Sequence, residues 1–174
     1  MNTKKITVLG MLTAAALIIF IAEAQLPPLA PIPGIKLGLA NIVTLVTLLY
    51  FGRREAFAVL IMRIILGSIY AGGLFGFFYS LTGGMLCFAA EAILVGVLAK
   101  NKLWVISVIG AIFHNVGQIL AAVVLTNTSA VLWYLPVLII SAVITGAFNG
   151  VCAQLLLKHR IFEKKETSQK QTRY

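Results

Sequence analysis

Arg63 poses the first chemical question in this chain. It lies in the run Glu55-Ala-Phe-Ala-Val-Leu-Ile-Met-Arg63-Ile-Ile-Leu-Gly67, where no other charge follows Glu55. The surrounding sequence is 60% hydrophobic and 11% charged, with a mean hydropathy of +1.01. A guanidinium at the centre of a bilayer costs roughly 2.5–3.5 kcal/mol even on the lenient insertion scale. A partner carboxylate, a water-filled cavity or an anionic ligand can offset that cost. Helix rise converts position into depth: Arg63 stands eight residues beyond Glu55, roughly 12 Å along its helix. By the same rule Glu91 stands roughly 13 Å from Lys100, and His114 roughly 18 Å from Lys102. The three groups therefore share a slab near the midplane. Asn115 and Gln118 join them. His114 and Gln118 are four residues apart and share one helix face, and Asn115 and Gln118 are three apart. In hydrocarbon such a stripe must face protein, water or ligand. Two readings stand side by side. One is a ligand chamber. The other is a strut in which Arg63 pairs with Glu91 and the amides tie helices together.

The elements that must position these groups follow from composition. The charged fraction is about half that of a soluble domain, too low to cover a water-facing surface. The expected fold is an all-α integral membrane protein. Six apolar segments, at about 5–25, 35–51, 54–70, 74–98, 103–125 and 131–157, each reach the lower limit for crossing hydrocarbon. The net charge of +9 would suit a nucleic-acid binder, but its placement does not. Apart from Lys36 and Arg63, the 14 Lys and Arg fall at the N-terminus, around 53–54 and 100–102, and from 158 onward. Every second connection is basic, which by the positive-inside rule predicts a six-span bundle with both termini cytoplasmic. Residues 1–160 form the expected transmembrane substrate-binding domain. Residues 161–174 are expected to be a disordered cytoplasmic tail.

Several local features bear on function. Lys4-Lys5, an apolar run and Ala22-Glu23-Ala24 imitate a secretory signal, but the run is long, and an uncleaved first span is expected. The connection Gln25-Leu-Pro-Pro-Leu-Ala-Pro-Ile-Pro-Gly34 holds four of the five prolines and is apolar. It reads as a stiff lid over the outer mouth or as an interfacial connector. Gly83-Gly84 either loosens its helix for ligand binding or admits a close helix neighbour. Phe75, Phe77, Phe78, Tyr79, Trp133 and Tyr134 either wall an apolar ligand or form an interfacial belt. Gly10 and Ala14 give the first helix a small-residue face for a close partner. Cys87 and Cys152 lie in apolar runs without metal-ligand spacing, and neither a metal nor a cofactor is expected.

The stretch Pro33-Gly-Ile-Lys36-Leu-Gly-Leu-Ala-Asn41, with Arg63 and His114-Asn115-Val-Gly-Gln118, resembles a bacterial membrane family. That family is heptaprenyl diphosphate synthase component I, also called the Gx transporter family. It is similar to the substrate-binding S components of energy-coupling factor transporters. The resemblance runs over roughly residues 5–158. It implies a six-helix, S-component-like subunit of the bacterial plasma membrane, with ligand bound near the outer face under the loop after the first helix. It also implies that the first helix docks, through Gly10 and Ala14, on a membrane coupling protein that works with two ATPases. By matching position, Lys36 and Asn41 would lie at lid and pocket. Arg63 and His114 match polar family positions. Lys36, Asn41, Arg63, Glu91, His114, Asn115 and Gln118 are thus the candidate substrate-binding residues.

A synthase activity sits poorly with the residues. Prenyl synthases hold magnesium with aspartate-rich motifs, and magnesium needs hard oxygen ligands. The sequence has no aspartate, and among its five glutamates only Glu163 and Glu166 are close together. No phosphate-binding glycine loop is present either. The expectation is a non-enzymatic subunit for uptake of a small anionic or aromatic molecule. The alternative is a non-catalytic accessory component of heptaprenyl diphosphate or menaquinone biosynthesis. A third idea is a self-contained proton-linked carrier using Glu91 and His114. No nucleic-acid partner is expected.

Overall fold

The computed structural model describes residues 3–26, 36–98 and 102–171. Of the proline-rich connection at 25–34, residues 27–34, with all four of its prolines, lie outside the described residues. Six α-helices follow one another: α1 (Thr3–Ala24), α2 (Asn41–Phe51), α3 (Arg53–Gly67), α4 (Gly73–Val97), α5 (Leu103–Thr126) and α6 (Leu135–Gln171). A π-helical turn, Ser68–Gly72, joins α3 to α4, and a 3-10 turn, Ser129–Tyr134, leads into α6. Among the described residues there is no strand.

Four of these elements are long and apolar enough to cross a membrane: Thr3–Ala24, Gly73–Val97, Leu103–Thr126 and Ser129–Lys158. Their surfaces are inverted relative to a soluble bundle. Val124, Ile140, Ile144, Phe148 and Leu155 are exposed, whereas Glu23, Arg63, Glu91, His114 and Gln118 are buried. Apolar exteriors with polar interiors suit lipid as solvent.

Six helices are present as expected, but α2 and α3 fall short of the length of a span. With 11 residues, α2 is roughly 16 Å long, about half the hydrocarbon thickness. Its helix starts at Asn41, not near 35, because residues 36–40 take a different path with Gly38 at φ +80°. At 15 residues, α3 is also short, and it carries Arg53, Arg54, Glu55 and Arg63. At the other end of the chain, α6 runs to Gln171. The segment after Lys158 is rich in Lys, Glu and Gln and contains neither Gly nor Pro, so its helix propensity is good.

Packing centres on α5, which lies between α4 and α6. Small residues set the spacing. A Cβ on Gly117 would come within 2.8 Å of the Gly83 Cα, and one on Gly150 within 2.4 Å of the Trp104 Cα. Gly83-Gly84 therefore serves close packing inside an unbroken α4, which settles the choice left open by sequence. Helix α1 packs on α3 and α2. Lys5 on α1 forms an ion pair with Glu55 at the start of α3, and the Arg53 Nη2 donates to the Ala92 carbonyl at 2.9 Å. These contacts pin one end of the bundle. The polar interior lies toward the other end, where α1 stops.

Candidate functional site

Residues 36–40 are where backbone leaves helical geometry inside the bundle. In a low-dielectric interior each such N–H and C=O needs a partner. Side chains from three helices supply them. From α1, Glu23 accepts from the Gly38 N–H at 2.6 Å and from the Leu39 N–H at 3.0 Å. From α5, Gln118 Oε1 accepts from the Lys36 N–H at 3.1 Å. From α6, Asn149 donates to the Gly38 carbonyl at 3.3 Å and Thr145 to the Leu37 carbonyl at 3.5 Å. The first turn of α2 then closes by i→i+3 bonds, such as Asn41 N–H to the Gly38 carbonyl at 3.1 Å. Glu23 thus places a carboxylate at the positive end of α2, where helix dipole and free amides both favour it.

Beside this segment lies a small chamber lined by Phe20, Glu23, Lys36, Gly38, Arg63, Ser80, His114 and Gln118. Its free volume is about 10 Å³, about the space one water needs. Arg63, only 3% exposed, donates from Nη2 to the Asn41 Oδ1 at 3.0 Å. The Gln118 Nε2 and His114 Nε2 are 2.7 Å apart. The Lys36 ammonium sits over the Phe20 ring, 3.2 Å from its centroid, as a cation–π pair.

Burial pulls Lys36 from the ordinary lysine value of 10.5 down to about 8. The Glu23 carboxylate opposes that fall and the Arg63 charge adds to it.

Of the residues picked out from sequence, Lys36, Arg63, His114 and Gln118 line the chamber, and Asn41 is tied to it through Arg63. Two do not belong to it. Asn115 turns toward α6 and donates to the Leu138 carbonyl at 2.6 Å, so it braces α5 against α6. Glu91 is seated against Gly110 of α5, where a Cβ would come within 2.8 Å of its Cγ. The Arg63–Glu91 ion pair of the strut alternative is not formed; among the described residues the ion pair is Lys5–Glu55. Glu23, Phe20, Ser80, Thr145 and Asn149 also take part, although sequence spacing does not single them out. Glu23 was visible as a charge near the end of an apolar run, and Asn149 as an amide within one. Their partners are backbone groups far along the chain, which spacing cannot reveal. The aromatic residues divide: Trp133 and Phe75 are exposed, while Tyr79 is buried against Ile119, Ala122 and Leu138. None of these three lines the chamber. On α1, Gly10 and Ala14 face outward, and nothing lies within 4 Å of a Cβ built on Gly10.

A family model described as Heptaprenyl diphosphate synthase component I matches residues 12–156. That match takes in α1 from Leu12, all of α2 to α5, and α6 to Leu156. No curated protein and no solved structure matches the chain.

Proposed function

We propose a non-catalytic, membrane-embedded binding role for this chain, which belongs to the heptaprenyl diphosphate synthase component I family. In this reading it is a solute-binding subunit of the bacterial plasma membrane, with both termini cytoplasmic. It captures a small molecule at the chamber beside residues 36–40. A separate membrane coupling protein with ATPases then tilts or deforms it for release.

The observation that carries the reading is the non-helical backbone at 36–40, held by Glu23, Gln118, Thr145 and Asn149. Irregular backbone inside a membrane protein is tolerated where it is buried in protein or lines a cavity. Non-helical backbone that lines a cavity forms binding sites in carriers. Side-chain anchors can be exchanged for ligand groups, whereas a continuous helix satisfies itself. The closed chamber admits about one water, so capture requires this segment to lift. The outward small-residue face of α1 suits close approach of the coupling protein.

The family description favours a second reading, an accessory component of heptaprenyl diphosphate or menaquinone synthesis. Purification from native membranes in mild detergent separates the two. Co-purification with an integral membrane protein and ATPases, with a small molecule released on denaturation, is the expected result. Arg63→Ala should reduce retention of that molecule more than Lys36→Ala, because water cannot replace a charge that is 3% exposed. Co-purification with a soluble, Asp-rich prenyl synthase, with no small molecule retained, would instead establish the second reading.

A further inference from the structure

We propose that the chamber is a receptor for one singly charged oxyanion, a carboxylate or phosphate-ester group, held between Lys36 and Arg63. This inference rests on the binding role proposed above and names the ligand chemistry of the same site.

Three charged side chains line the chamber: Glu23, Lys36 and Arg63. His114, the other titratable group there, is paired with Gln118. Two cations against one carboxylate leave an excess of one positive charge. The nearest further carboxylate, Glu91, is seated against Gly110 and does not line the space. Donors are also in excess. The Arg63 Nε and the Lys36 Nζ are buried with no hydrogen-bond acceptor among the described residues. A buried donor without an acceptor is costly, most of all on a charged group. The missing element is therefore an acceptor carrying negative charge.

The existing arrangement shows what such an acceptor looks like. The Glu23 carboxylate already bridges the Gly38 and Leu39 amides, with Lys36 and Arg63 within electrostatic reach. Glu23 is the built-in competitor for the same cradle. Once residues 36–40 lift and widen the chamber, an arriving oxyanion takes the unused Arg63 and Lys36 donors, and gains the amide pair when Glu23 withdraws. A cation is disfavoured by the charge excess. A neutral aromatic finds only Phe20, whose face Lys36 covers.

The test follows thermal unfolding of the detergent-solubilised full chain with added sodium acetate or sodium phosphate, against sodium chloride at equal ionic strength. A further arm adds phosphatidic acid to the micelles, which separates a lipid phosphate from a soluble one. The expected result is a saturable rise in midpoint with an oxyanion and none with chloride. Glu23→Gln should tighten that binding by about tenfold or more, because a like charge is removed from the cradle. Lys36→Gln should reduce the rise. Opposite signs for these two substitutions are not produced by a merely structural role. Equal shifts with chloride, or a shift that Lys36→Gln leaves unchanged, would overturn the proposal. Lys36→Gln decides the matter even if Glu23→Gln does not fold, since the Lys36 Nζ hydrogen-bonds to no described acceptor. A negative result here, with a coupling protein and a neutral molecule recovered from membranes, would remove the oxyanion and leave the binding role standing.

Discussion

Gly38→Ala should destabilise the protein severely, and Gly10→Ala should not. Two independent costs meet at Gly38. Its φ of +80° lies in the region that side chains disfavour, which costs roughly 1–2 kcal/mol for a non-glycine residue. A Cβ there would also stand 2.8 Å from the Asn41 Nδ2 and 2.9 Å from the His114 Cδ2. Neither neighbour moves freely. Asn41 receives the Arg63 hydrogen bond, and His114 is paired with Gln118, which itself holds the Lys36 amide. Overpacking of this kind costs roughly 1–3 kcal/mol more. The total, about 2–5 kcal/mol, is a large part of a typical protein's stability. Gly10 has an ordinary helical setting with nothing within 4 Å of its Cβ position, so Ala fits there. Thermal unfolding and gel filtration of both variants in one detergent make the comparison. Equal midpoints for the two would mean that residues 36–40 are not held as described.

How much of this was legible beforehand depends on the range of each interaction. The four-residue spacing of His114 and Gln118 placed them on one face, and they meet at 2.7 Å. The equally local Asn115–Gln118 spacing misled, because Asn115 turns toward α6 and finds the Leu138 carbonyl. A helix advances about 100° per residue, so neighbours in sequence serve different partners. Depth arithmetic brought Arg63 and His114 to one chamber. It could not choose between Glu23 and Glu91 as the carboxylate nearer to the site, since that depends on how the chain doubles back after α1. Hydropathy read residues 35–51 as a continuous span. Helix begins only at Asn41, because Gly38 has φ +80° and Glu23, 15 positions before Gly38, takes the Gly38 and Leu39 amides. Apolarity records where a segment resides, whereas helix continuity depends on who takes its hydrogen bonds.

The energetic centre of the site can be located by comparing two double-mutant cycles. Glu23→Gln alone should destabilise, because the Gly38 and Leu39 amides lose an ionised acceptor and Lys36 and Arg63 lose their facing negative charge. Arg63→Met alone should also destabilise. It leaves the buried Asn41 oxygen without its donor and Glu23 with one cation instead of two. The double variant should cost less than the sum, with a coupling of about 1–3 kcal/mol, the upper part of the range for interacting neighbours. The cycle of Arg63→Met with Glu91→Gln should give a smaller coupling, since Glu91 acts on Arg63 less than Glu23 does and rests in its own notch at Gly110. Chemical unfolding of the three single variants, the two double variants and the parent in one micelle system measures both. The order of the two couplings separates the alternatives. If Glu91 couples more strongly than Glu23, Arg63 belongs to a strut between α3 and α4. If Glu23 couples more strongly, Arg63 belongs to the cradle that holds residues 36–40, and movement of that segment must redistribute its charge.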